Sequence, residues 1–213
     1  MNAYLLCGYE RIEELMSNTH NISDRQMEII DAAGRILTTS GIPGLTIKNL
    51  AAEMNFTESA VYRHFNSKED IIVEMLSYLA DDMDRRLSDA ISNEEGPEEK
   101  FRTLFRSQSI FFKNAPHFVV AVFSDGLLEQ SQRINESILK IMATVMRHLL
   151  PIILEGQQRQ VFTQAISTEE MLHVVMGTVR LQMFKWRLVN FEFDIEQHTE
   201  KMITTLLTLI RKP

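Results

Sequence analysis

A chain of 213 residues with 45% hydrophobic and 24% charged residues has ordinary soluble globular composition and enough length for one large or two modest domains. Its formal charge of −7 speaks against general, charge-driven nucleic-acid binding, and the single Cys7 excludes an internal disulfide framework and a cysteine-rich zinc site. No run reads as long and uncharged enough to span a bilayer, and the start lacks a basic signal-peptide region, so the sequence predicts a cytoplasmic protein with no membrane partner.

Glycine (8) and proline (5) are scarce, and apolar residues recur at spacings of three and four. That pattern predicts an all-α protein of about nine helices. Residues 1–23 form an N-terminal extension with little periodicity beyond a short helix at Tyr9–Met16, and Met16 is as plausible a natural start as Met1. The first convincing helix begins near Asp24, buries Ile29, Ala32, Ala33, Ile36 and Leu37, and stops at Gly41. Thr46 is placed to cap a second helix, with Ile47, Leu50, Ala51 and Met54 inward. Asn55 suits a sharp left-handed turn, and Thr57 then caps a very short third helix over Glu58–Phe65. Ser67 and Asp70 have capping-box spacing at the head of a long fourth helix that reaches about Ile91.

"SNEEGPEE" (92–99) is the clearest break. Beyond it come a Phe-rich helix from Pro97, another from Pro116, and a third striped by Ile134, Ile138, Ile141, Met142, Val145 and Leu149 and distorted near Pro151. Gly156 and 157–168 read as a loop, followed by helices over about Thr168–Asn190 and Asp194–Arg211.

The stretch "NFTESAVYRHFNSKEDI" (55–71) carries the functional signal. Two short helices joined by a tight turn and supported by a longer one form a helix-turn-helix pattern. Val61 and Phe65 lie four apart and anchor the third helix, so Glu58, Ser59, Tyr62 and Arg63 face outward. Arg63 can donate twice to guanine, Glu58 can accept from cytosine, and Ser59 can serve either edge. Tyr62, His64, Lys68 and Thr46 suit phosphates, and Lys48 can reach a base. The charge is against this reading, since residues 24–70 hold five Lys/Arg and seven Asp/Glu.

The run "TIKNLAAEMNFTESAVYRHFNSKEDI" closely resembles the DNA-binding domain of TetR-family transcriptional repressors, through Thr46, Leu50, Ala51, Val61, Tyr62, His64, Phe65, Ser67, Lys68, Glu69 and Ile71. The resemblance is specific from Asp24 to about Met75. It implies a three-helix DNA-binding domain over 24–70 and a larger helical ligand-binding and dimerisation domain over 71–213. It also implies that Thr46, Tyr62, His64 and Lys68 hold the backbone while Lys48, Glu58, Ser59, Ala60 and Arg63 face bases, with Thr57 in the same contact set. The departure is Asn55-Phe56, where the family has glycine and a small aliphatic residue; Phe56 is expected to need a larger cavity beside the supporting helix.

The C-terminal two-thirds of the chain holds ten of the twelve phenylalanines and many methionines, residues that fill cores and also line apolar pockets. The resemblance implies a pocket for a small apolar ligand, with Phe105, Phe112, Phe123, Met142, Met146 and Met183 as lining and His117 and Arg180 as polar anchors. Two apolar C-terminal helices predict a homodimer, through Val174, Gly177 and Leu181 on one and Met202, Leu206 and Ile210 on the other. The expected function is ligand-responsive repression at a pseudo-palindromic operator, without cofactor or catalysis. The alternatives are a TetR-like activator and a helical protein-interaction module without DNA binding. A di-metal enzyme is the weakest rival, because Glu170-x-x-His173 has no second copy.

Overall fold

The computed structural model describes residues 22–123 and 131–212. Residues 1–21 of the extension, with the helix at 9–16 and the question of Met16, lie outside the described residues. Among the described residues there are nine helices and no strand. They are α1 (Asp24–Gly44), α2 (Ile47–Glu53), α3 (Glu58–Tyr62), α4 (Lys68–Ser92), α5 (Pro97–Asn114), α6 (Pro116–Val122), α7 (Gln132–Gln158), α8 (Thr168–Leu188) and α9 (Ile195–Ile210). The chain divides into two compact units, residues 1–81 with 117–143 and residues 82–116 with 144–213. The division falls within α4 and within α7, so each of these helices contributes to both units.

In the first unit the ends of the short helices are fixed by side chains. Ser23 and Gln26 form a capping box at the head of α1. Gly41, at φ 64°, breaks the helical path before Pro43, as its position predicts. Thr46 Oγ1 accepts from Asn49 N at 3.1 Å, Thr57 Oγ1 from Ala60 N at 3.2 Å, and Ser67 Oγ from Asp70 N at 3.0 Å. Asn55 takes the left-handed turn at φ 54°. α3 is shorter than its pattern suggests. It ends at Tyr62, with Arg63 as C-cap, yet Phe65 N still bonds Val61 O at 3.1 Å and both side chains are buried. Ion pairs of Arg133 with Asp70 (2.7 Å) and of Lys140 with Asp81 (2.8 Å) fasten α7 to α4 in this unit.

In the second unit α9 packs along α5 and against α8. Phe101 sits at the centre of an aromatic cluster with Phe105 (4.8 Å between centroids) and Phe162 (6.4 Å). The chain end is tied down twice, by backbone bonds between 161–163 and 210–212 and by a two-pronged ion pair of Arg211 with Glu98.

α7 departs from the sequence reading in two ways. It runs through Pro151 to Gln158 instead of ending before Gly156. Pro151 lies exposed within the helix, on its outer face. Gly156 is buried inside the helix because Phe162 lies against it; a Cβ there would fall 2.0 Å from the ring. α7 is also long and apolar enough to cross a membrane, with a mean hydropathy of 1.6 in its most apolar window, contrary to the expectation that no segment is. Over half of that window (56%) is buried within the protein, as for a core helix.

Gly156→Ala should therefore destabilise the fold by about 1–3 kcal/mol in urea unfolding, through overpacking against Phe162. Gly177→Ala, which meets nothing within 4 Å on an exposed helix face, should stabilise the protomer by up to about 1 kcal/mol.

Candidate nucleic-acid interface

α3 has only 5 residues and cannot persist on its own hydrogen bonds. Its inner side supplies the hold: Val61 (0% exposed) and Phe65 (5%) join Leu50 and Ala51 of α2 in the core. The opposite side is consequently presented to solvent. Glu58, Ser59, Tyr62, Arg63 and His64 are exposed, Ala60 is half-buried, and Tyr62 shows 49% of its surface. Thr46, Lys48 and Thr57, at and near the helix heads, are exposed beside them in sequence.

The hydroxyls have defined hydrogen-bond roles. Thr46 Oγ1 accepts its cap bond, which leaves its proton free for an outside acceptor. Thr57 Oγ1 accepts from Ala60 N and also lies 2.9 Å from Ser59 Oγ, so one of the two hydroxyls donates to the other. Lys68 is half-buried, and its Nζ donates to Ile42 O at 3.4 Å, a tether between the head of α4 and the end of α1. Sequence reading missed that second role, since the partner lies 26 residues away.

The cations divide into two groups. Arg25, Arg35, Arg85, Arg106, Arg133, Arg159 and Arg211 each face a carboxylate of the protein. Lys48 and Arg63 pair with no described residue. Lys185 of α8 and Lys201 of α9 are likewise without a carboxylate partner among the described residues, so Lys48 and Arg63 are two of several cations available to a polyanion.

Phe56 requires no larger cavity. Its ring is half-buried in a shallow groove with Arg25, Glu28, Asp31, Arg35 and Met54, and the Arg25 guanidinium lies 5.1 Å from its centroid. The substitution is absorbed at the surface.

His117, at the head of α6, packs against α1. A Cβ at Gly34 would lie 2.8 Å from its ring, so glycine is needed for that approach. Burial pushes the His117 imidazole below its ordinary value, with a smaller upward pull from Asp31.

The remaining ligand and dimer expectations separate as follows. Phe105, Phe112 and Met183 are buried, Phe123 and Met146 are half-buried, and Met142 and Arg180 are exposed. None of the eight lines the groove of about 500 Å³ in the second unit, whose walls are Arg86, Thr103, Arg106, Ser107, Ile110, Phe111, Asn114 and Ala115. Val174, Gly177 and Leu181 lie exposed on α8, with Leu181 at 59%. Met202 (7%), Leu206 (1%) and Ile210 (1%) instead turn into the protomer's own core, which removes them from any surface contact. The signal was present: Met202, Ile203, Leu206, Leu207 and Ile210 make a stripe too wide for a simple seam, and α5 covers it. Glu170 is the reciprocal partner of Ser167 in the cap of α8, and His173 Nδ1 contacts Glu169 O at 2.9 Å.

Two family models cover most of the chain. Residues 29–75 match bacterial regulatory proteins of the tetR family, and residues 76–209 match the C-terminal region of YsiA-like proteins. Nucleoid occlusion factor SlmA of Shewanella halifaxensis is 25% identical over 137 residues, 64% of this chain and 70% of that protein. The fatty acid degradation regulator FadR of Bacillus halodurans superposes with a TM-score of 0.80 at 16% identity, over 88% of this chain and 97% of that one. FadR of Bacillus subtilis, solved in complex with stearoyl-CoA, gives 0.76 at 17% identity, over 87% and 99%.

Because the folded-state value of His117 is depressed, its neutral form contributes stability above 6.5 that is lost as pH falls from there through the folded value. Urea titrations of wild type and His117→Gln should show wild type losing stability relative to the variant below that pH. Thr57→Ala should cost about 1 kcal/mol in the same assay, through the lost cap.

Proposed function

The chain belongs to the TetR family of bacterial regulatory proteins, and from that premise we propose that it acts as a homodimeric repressor of a pseudo-palindromic operator, released by a small apolar ligand. The observation that carries the reading is the division of α3: Val61 and Phe65 hold it from within, while Tyr62 and the unpaired Arg63 stand outside. Residues 24–70 form the DNA-binding domain and 71–213 the ligand-binding and dimerisation domain, in the cytoplasm.

Arg63 donates to the O6 and N7 edge of guanine, Glu58 accepts from a cytosine amino group, Ser59 meets either edge, and Ala60 offers a methyl contact. Lys48 adds a base contact from α2. Thr46, Thr57, Tyr62, His64 and Lys68 hold phosphates, the Thr46 hydroxyl with the proton that its cap bond leaves free. With few cations engaged, non-specific binding is weak and the salt dependence shallow.

Exposed Val174, Gly177 and Leu181 on α8, with Leu188 beyond them, form the twofold contact. Two protomers then present their recognition helices to adjacent major grooves. The stearoyl-CoA bound by the Bacillus subtilis regulator supports an effector with an apolar chain. Phe105, Phe112, Phe123, Met142, Met146 and Met183, with His117 and Arg180, are the residues we assign to it. Ligand favours a dimer whose recognition helices no longer match the grooves; a coupling of about 1.4 kcal/mol suffices for tenfold release.

Labelled DNA from upstream of the protein's own gene, titrated in rising salt, tests the reading. Wild type should bind saturably as a dimer. Arg63→Ala should lose about 1–3 kcal/mol of binding free energy and relax specificity at one base pair. Tyr62→Phe should weaken binding without altering specificity, and Leu181→Glu should give monomers by sedimentation that bind poorly. No binding to that DNA, followed by no enrichment from genomic fragments, sinks the proposal in favour of a protein-interaction module.

A further inference from the structure

We infer that Arg133, at the head of α7, is a positioning residue for DNA binding: it masks the two carboxylates that follow Lys68, so that a phosphate can approach the head of α4. The inference rests on the operator reading above and adds to it a residue from outside the helix-turn-helix.

The first turn of α4 answers two opposed demands. The leading amides of a helix are unsatisfied and carry partial positive charge, so carboxylates there stabilise it. Glu69 and Asp70 occupy that turn, and Ser67 Oγ accepts from Asp70 N at 3.0 Å. The same turn begins with Lys68. Its Nζ donates once, to Ile42 O at 3.4 Å, and keeps two hydrogens for a phosphate. Along the helix axis Lys68 and Asp70 are only about 3 Å apart. A phosphate held by Lys68 therefore lies within about 10 Å of both carboxylates, too close for salt to screen them fully. By itself this turn carries one positive and two negative side chains, and it repels DNA.

Arg133 resolves the conflict from another helix. Its Nη1 donates to Asp70 Oδ1 at 2.7 Å and lies 3.4 Å from Glu69 Oε1. Ser131 completes the arrangement, donating from Oγ to Glu69 Oε1 at 2.6 Å and accepting from Arg133 N at 3.1 Å. With the guanidinium in place the charges of Lys68, Glu69, Asp70 and Arg133 cancel. The hydrogen bond from Arg133 also holds the Asp70 carboxyl below its ordinary value, so the acid stays ionised for the helix while its outward field is neutralised. All five residues belong to the first unit. The Arg133 side chain is 55% exposed, and so solvated a pair contributes little as a brace. Its larger effect is on what approaches from solvent.

Titration of the full-length protein with a labelled duplex from upstream of its own gene, at about 0.05 M and about 0.3 M salt, tests this by the sign of three changes. Arg133→Gln should weaken binding about threefold to tenfold at the lower salt and less at the higher. Glu69→Gln with Asp70→Asn breaks the same ion pairs from the other side, yet should tighten binding by a similar factor. Adding Arg133→Gln to those two should return affinity to the wild-type level or above. Thermal melting checks that each variant folds; if Arg133→Gln does not, the direction of the change in Glu69→Gln/Asp70→Asn decides alone. Weakening in all three variants would make Arg133 a brace and overturn the masking role, as would Arg133→Gln binding like wild type at the lower salt. Either result leaves the operator reading standing, whereas wild type that binds neither this duplex nor any genomic fragment removes both.

Discussion

The recognition surface depends on one constraint: a helix of 5 residues has too few hydrogen bonds to exist in water unless something else holds it. Val61 and Phe65 are that hold. They seat the segment on Leu50 and Ala51, and the caps at Thr46 and Thr57 close the backbone donors that so short a helix leaves open. The outward direction of Tyr62 and Arg63 is a consequence of the inward direction of the other two. Loss of the inner pair would therefore remove the outer pair without touching any of its chemistry.

Charge is the second organising term, and it acts by distribution. A chain of net charge −7 is repelled by a polyanion at long range, and screening confines that repulsion to about 10 Å at ordinary salt. What matters at contact is which cations are still available. Arginines of α4, α5, α7 and the end of α9 pair with the protein's own acids, while Lys48 and Arg63 on the helix-turn-helix, like Lys185 and Lys201, meet no carboxylate among the described residues. Each of those surface pairs contributes little to stability, about 0–1 kcal/mol. Their larger effect is to take positive charge out of competition for DNA, which suits a binder that finds a particular site rather than any duplex.

The fold was legible where it rests on local rules and illegible where it rests on partners. The caps at Thr46, Thr57 and Ser67 follow from short-range hydrogen bonding, and so does the left-handed turn at Asn55. At the head of α8 the same kind of bond makes Glu170 the partner of Ser167. Periodicity reveals that a face is apolar but not what covers it. Met202, Leu206 and Ile210 show this: they satisfy the pattern of a subunit contact, and α5 buries them inside one chain. Gly156 looked like a loop glycine because nothing nearby in sequence announces that Phe162 folds back onto it. Phe56 was expected to demand space and instead lies under Arg25 at the surface. The contact of the Arg86 guanidinium with the Phe111 ring was illegible for a similar reason, since the ring stands in another helix.

α4 connects these levels. Its first residue, Lys68, reaches back to the carbonyl of Ile42 at the end of α1, and its later turns carry Asp82, Asp84 and Arg86. In each unit it is ion-paired to α7, through Glu69 and Asp70 in the first and through Asp84 in the second. Those pairs are exchangeable contacts: Arg133 can serve Glu69 or Asp70, and Asp84 faces both Arg147 and His148. Contacts that share a partner can exchange without leaving a charge unpaired, which lowers the cost of a small rearrangement. Only a small bias is needed to choose between them, because a tenfold change in operator affinity corresponds to about 1.4 kcal/mol, no more than one or two hydrogen bonds gained or lost.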